Sequence, residues 1–164
     1  MIEVEKENQK YRTIWVIKGT RIIHRDDGPA VEFLNGEKRW YQHGVVHRDG
    51  GPAIEYANGD EAWYRNGKLH RKDGPARTFN IINKIEWHIN GELHRDDGPA
   101  IEYQNSKYWY KFGVLHRDDG PAFIDGKEIS WWFNGELCKK EEWFEALTEE
   151  KKEKVLYSEY FIRD

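Results

Sequence analysis

Apolar and polar residues alternate along this chain in runs too short for helices. "AVEF" at residue 30 and "AIEY" at residues 53 and 100 are each followed by a second short run, "RWYQ" at 39, "AWYR" at 62 and "YWYK" at 108. Period-two alternation over such lengths predicts half-buried β-strands. Turn signals separate the runs: Asn35-Gly36, His43-Gly44, Asn58-Gly59 and Asn66-Gly67. Asn-Gly between short alternating runs is a strong hairpin signal, because both residues tolerate positive φ. The expected fold is mainly β, a single twisted antiparallel meander sheet built from hairpins and capped by short C-terminal helices.

One heptad is stamped five times between the hairpins. "HRDDGPA" stands at His24, His94 and His116, "HRDGGPA" at His47 and "HRKDGPA" at His70, so the unit repeats every 22 to 24 residues. All five prolines of the chain occupy the same slot of this motif. A fixed period of this length marks a repeat architecture. Counting outward from a two-residue turn at Asn66-Gly67 sets Trp63 level with His70, and the same count pairs Trp40 with His47, Trp87 with His94 and Trp109 with His116. Treating Asn35-Gly36 and Asn58-Gly59 alike sets Val31 against Trp40, Ile54 against Trp63 and Glu32 against Arg39. The expectation is a structural ladder of Trp, His and aliphatic side chains on the packed face. Asp, Gly and Pro then turn the chain at the sheet edge.

Both ends leave the pattern. Residues 11–23 supply a half unit around Trp15, and residues 139–164 replace the next motif with a helical pattern, dividing the chain into a β-repeat domain, 1–138, and a helical cap, 139–164. Trp143, Phe144 and Leu147 share one helical face. Thr148 is suited to cap a second helix, with Val155, Leu156 and Tyr160 on its inner side.

The units "KLHRKDGPA" and "EAWYRNGKLH" resemble the variant MORN-type repeats of phages, bacteria and large DNA viruses. The resemblance covers residues 14–137 and rests on five copies in matching order and spacing. It implies a single twisted antiparallel sheet and a phage or viral origin. The His-Arg-Asp turn stands where the more familiar MORN pattern has "YxGxxxxGxxxGxG".

Composition changes this picture in two ways. Aliphatic residues are sparse, whereas eight Trp and nine Tyr are available, and each aromatic buries enough surface to build a core. The net charge of −4 supplies no overall pull toward phosphate backbones or anionic membranes. No apolar run reaches the length of a membrane span, no signal peptide is apparent, and a single Cys138 excludes a disulfide framework. These features read as cytosolic, in the host cytosol for a phage-encoded chain.

Candidate chemistry is thin. Equivalent histidines two strands apart are about 10 Å apart, too far to share a metal ion, so neither a metal nor another cofactor is expected. Three serines and one cysteine sit beside no recognisable base, and every glycine is explained by a turn, so the chain is read as no enzyme. Binding remains. The candidate surface comprises Tyr41, Tyr64 and Tyr110 opposite the tryptophans, the apolar hairpin tip at Ile81 and Ile82 with Phe79, and the C-terminal aromatics Tyr157 and Phe161. The expected partner is a protein, a host protein in the phage reading. Single-stranded nucleic acid or a nucleotide is the alternative, held by Arg25, Arg48, Arg71, Arg95 and Arg117. A self-assembling structural role is a further one.

Overall fold

The fold is that of a computed structural model, which describes residues 2–156. The chain is mainly β, an antiparallel meander that ends in two short helices, α1 (Lys140–Glu145) and α2 (Glu149–Leu156). It divides into two compact units, Met1–Gly91 and Glu92–Asp164. Tyr157, Tyr160 and Phe161, singled out above, lie outside the described residues.

In Met1–Gly91 the meander runs through Val4–Gln9, Arg12–Ile17, Val31–Phe33, Lys38–Arg39, Ile54–Glu55, Glu61–Ala62, Arg77–Phe79 and Lys84–Glu86, each strand pairing antiparallel with the next. The first of these, "VEKENQ", is almost wholly polar and exposed. Nothing in its pattern announces a strand, and its charges suit an outer edge, where they discourage pairing with another chain. Two short hairpins stand apart from the meander, Tyr41–Gln42 with Val45–Val46 and Tyr64–Arg65 with Lys68–Leu69. The chain leaves the meander for these hairpins at Trp40 and Trp63.

The two turns of each repeat differ, and this moves the register. His43 and Gly44 (φ 49° and 79°) and Asn66 and Gly67 (φ 50° and 76°) all have positive φ, the type I′ geometry that matches strand twist. Tyr64 accordingly pairs with Leu69 and Arg65 with Lys68, as counted from the sequence. At the other turn only Gly36 is left-handed, with φ 92°. Phe33 N–H donates to Glu37 C=O at 2.9 Å and Gly36 N–H to Phe33 C=O at 3.0 Å. This is a three-residue loop ending in a glycine bulge. The extra residue shifts the pairing by one: Val31 faces Arg39 instead of Trp40, and Glu32 faces Lys38 instead of Arg39. Gly59 repeats the arrangement, so Ile54 faces Ala62 and not Trp63. The expected Trp–aliphatic pairs are therefore corrected by a turn with one residue more.

In Glu92–Asp164 the meander comprises Ile101–Tyr103, Ser106–Tyr108, Phe123–Asp125, Glu128–Phe133 and Glu136–Cys138, with one separate hairpin, Tyr110–Lys111 with Val114–Leu115. Trp131 pairs with Cys138, where the other repeats set a tryptophan level with a histidine. The helices close this unit. Trp143, fully buried, meets the Trp131 ring at 4.4 Å between centroids, and Leu147 and Val155 complete the cluster with Phe144 at its margin. Leu156, assigned above to the inner side of α2, is 51% exposed; Val155 alone of the two turns inward.

Candidate functional site

The heptad is a clamp around a tryptophan. His47 N–H donates to Trp40 C=O at 3.2 Å, and Trp40 N–H donates to Ala53 C=O at 2.8 Å, so the two ends of one motif hold both backbone groups of one residue. His24 and Ala30 hold Trp15 in this way, His70 and Ala76 hold Trp63, and His116 and Ala122 hold Trp109. The motif alanines, Ala100 included, are all fully buried. A larger side chain has no room there.

Inside the clamp the motif arginine lies on the indole. The guanidinium carbons of Arg25, Arg48, Arg71 and Arg117 stand 4.1, 3.8, 3.9 and 4.0 Å from the centroids of Trp15, Trp40, Trp63 and Trp109. The motif glycine lies against the same guanidinium. A Cβ on Gly28, Gly51, Gly74 or Gly98 would fall 2.6 to 2.9 Å from the Cζ of its arginine, and none of these four has left-handed backbone. This glycine is needed because the arginine is there. Each of the five arginines also donates Nη1–H to the carbonyl of its motif proline, at 2.9 to 3.4 Å. Nε–H reaches Asp27, Asp73, Asp97 or Asp119. In the second motif Gly50 stands where that Asp would be, and Arg48 turns to Glu55 at 2.8 Å. The Arg25 guanidinium, by hydrogen bond and charge, holds the Asp27 carboxyl below its ordinary range, and Arg95 does the same for Asp97.

The histidines link successive repeats. Backbone N–H groups of His43, Asn90 and Asn134, each the first residue of a following type I′ turn, donate to Nδ1 of His24, His70 and His116 at 3.0 to 3.1 Å. An accepting Nδ1 places the ring proton on Nε2, which in His116 lies 2.8 Å from Asp118. His47 and His94 make the same backbone contact with Asn66 and Phe112. Phe112 holds φ 47° in a slot that Asn or His fills elsewhere, and its ring stacks on His94 at 4.1 Å.

Neither aromatic set lies open. Trp40, Trp63, Trp87 and Trp109 are half-buried, and so are Tyr41, Tyr64 and Tyr110. Tyr41 packs against the core of Ile14, Val16 and Val31. Several of the exposed apolar residues are at hairpin tips instead. Ile81 is 75% and Ile82 44% exposed in the loop between Phe79 and Lys84, while Phe79 is half-buried under Arg77 and Lys84. Two further tips carry residues the sequence reading passed over, Tyr11 at 63% and Leu34 at 79% exposed. Leu34 N–H bonds Tyr11 C=O at 3.0 Å, and Asn80 bonds the Gly59 carbonyl, so these are neighbouring tips at one end of the meander. Their signal was a large apolar side chain beside a turn residue.

No family model and no curated protein matches the sequence. The candidate sites therefore rest on geometry. Among the described residues no group of three or more His, Cys, Asp or Glu side chains is placed to hold a metal ion, and no helix is long and apolar enough to cross a membrane.

A groove of about 520 Å³ opens in Glu92–Asp164 between the motif turns at Arg95 and Arg117, Trp109 to Lys111, and α2. Its charges are largely paired within its own wall. Asp118 lies 2.7 Å from Lys151 and 3.9 Å from Lys111. Burial works to raise the Asp118 carboxyl, but Lys151 and His116 outweigh it and hold it below its ordinary range. The groove is the seam where α2 docks on the last motif.

Proposed function

We propose that this chain is a non-enzymatic repeat module that binds a partner protein through the hairpin tips of Met1–Gly91. The observation that carries the reading is the file of exposed apolar side chains, Tyr11, Leu34, Ile81 and Ile82, at one end of the meander. Large apolar residues gathered at an exposed edge cost free energy in water, roughly 25 cal/mol per Å², unless a partner covers them. Four clamps built alike support a scaffold, since catalysis needs one asymmetric constellation. The motif arginines are committed to tryptophan, proline carbonyl and carboxylate, which weighs against the alternative of a nucleic-acid stripe along them.

The resemblance to phage and viral MORN-type repeats supports a finer reading, a phage-encoded factor that acts in the host cytosol on a host protein, such as a component of antiviral defence. Affinity capture by the intact protein from a bacterial lysate tests both, with Ile81→Ser/Ile82→Ser and Tyr11→Ser/Leu34→Ser as parallel baits. A single stoichiometric protein that both variants lose is the expected result. Its retention by both variants, recovery of nucleic acid alone, or self-assembly without a partner sinks the tip reading.

A further inference from the structure

One histidine joint lacks a group that its sisters have. In four motifs the residue after the arginine is aspartate, and its carboxylate stands 2.8 to 3.4 Å from the histidine Nε2: Asp26 beside His24, Asp49 beside His47, Asp96 beside His94 and Asp118 beside His116. In the third motif that residue is Lys72. Asp73, the next in sequence, is bound by Arg71 at 3.2 Å, and among the described residues no carboxylate pairs with the half-buried ring of His70.

The other ring nitrogen is occupied. Asn90 N–H donates to His70 Nδ1 at 3.1 Å. Beside it, Gly91 N–H donates to Leu69 C=O at 2.8 Å and Arg71 N–H to His88 C=O at 3.1 Å. These three bonds join one hairpin to the next, and only the first depends on a group that titrates. The segment it closes, residues 70–90, bears the Ile81–Ile82 tip.

Imidazole is the side chain that charges between pH 8 and pH 5. With Nδ1 accepting, Nε2 already carries the ring proton, so an added proton goes to Nδ1. Two N–H groups then face each other and the bond is lost. In the sister motifs the aspartate at Nε2 offsets that loss by pairing with the new charge. His70 has no such offset. The charged groups next to it are Arg71, Lys72 and Asp73 of its own motif, Arg65 and Lys68 of its hairpin, and Glu92 after the Asn90-Gly91 turn, four cations against two acids of which Arg71 holds one. His88, the other histidine of this repeat, has Glu86 at 3.3 Å.

We propose that the His70–Asn90 joint is an acid-sensitive latch, which protonation of His70 opens while the sister joints hold. The latch is complete at the upper end of the range in which imidazole charges and weakens as pH falls through it, since the open form binds one proton more.

Amide hydrogen exchange of the intact protein, read by NMR between about pH 7.5 and pH 5.5 and scaled at each pH to the rate of an unstructured chain, tests the proposal. Protection of the Asn90 amide should fall by up to about tenfold per pH unit, the limit for one linked proton. That of the Asn134 amide, whose acceptor His116 has Asp118 at 2.8 Å, should fall less. Lys72→Asp restores the sister motif and should flatten the Asn90 response. His70→Asn offers an acceptor that does not titrate and should abolish it. Asn90 protection that stays constant across the window in the wild type, falls as steeply in both variants, or is matched by an equal fall at Asn134 overturns the proposal.

Discussion

The guanidinium carbon of Arg71 stands 3.9 Å from the centroid of the Trp63 ring, and 2.6 Å from where a β-carbon on Gly74 would lie. Gly74→Ala therefore forces the arginine off the indole. The expected cost is about 1–3 kcal/mol by urea denaturation. In an Arg71→Ala background the same change should cost clearly less, because the group it strikes is gone. A double-mutant cycle with no coupling between the two sites would show that the stack contributes nothing.

Breaking the link between successive repeats should also be measurable. His116→Leu deprives the Asn134 N–H of its acceptor, and because that donor is at an exposed tip where water can replace it, the loss should be about 0.5–1.5 kcal/mol. His116→Asn should recover part of that loss, since its Oδ1 stands the same number of bonds from the backbone as Nδ1. Equal stability of the two variants in thermal melts would argue that the histidine acts through packing alone.

Truncating the cap gives a larger effect. Trp143 is fully buried, packs its ring at a tilt against Trp131, and donates Nε1–H to the Arg117 carbonyl at 2.7 Å. Trp143→Ala should destabilise Glu92–Asp164 by about 3–5 kcal/mol. Trp131 fluorescence, read in a background where the other indoles are controlled, follows that unfolding.

Glu86 gives the chain a defined acid response. His88, with Lys84, lowers its carboxyl to about 2 from the ordinary 4.5 against the opposing effect of burial. A depressed carboxyl stabilises the fold fully above its unfolded pKa, and the contribution fades as pH falls from 4.5 toward 2. Glu86→Gln should be less stable than the wild type at pH 7, and the difference should shrink through that window in melts taken from pH 7 to pH 2.

The strands, the repeat and the Trp–His level were legible in the sequence because type I′ turns have one length and Asn66-Gly67 announces one. Asn35-Gly36 is written with the same two letters, yet only its glycine goes left-handed, and the register of Val31 and Ile54 depends on that single difference. The arginine–tryptophan stack was hidden for another reason. Arg48 and Trp40 are on different segments of the repeat, and Gly51, which accommodates the guanidinium, looks in sequence like any turn glycine. Tyr11 and Leu34 gained meaning only when the meander brought their tips to the same end as Ile81. Val4–Gln9 carries too few apolar residues to announce itself as a strand.

The linkage of each histidine to a turn that follows it gives the chain a direction. His24 waits for His43, His70 for Asn90, and His116 for Asn134. On the ribosome, where residues emerge from the N-terminus onward, a newly made motif has an unsatisfied ring nitrogen until the next hairpin has been synthesised. Each motif's set of hydrogen bonds is therefore complete only once the hairpin after it exists.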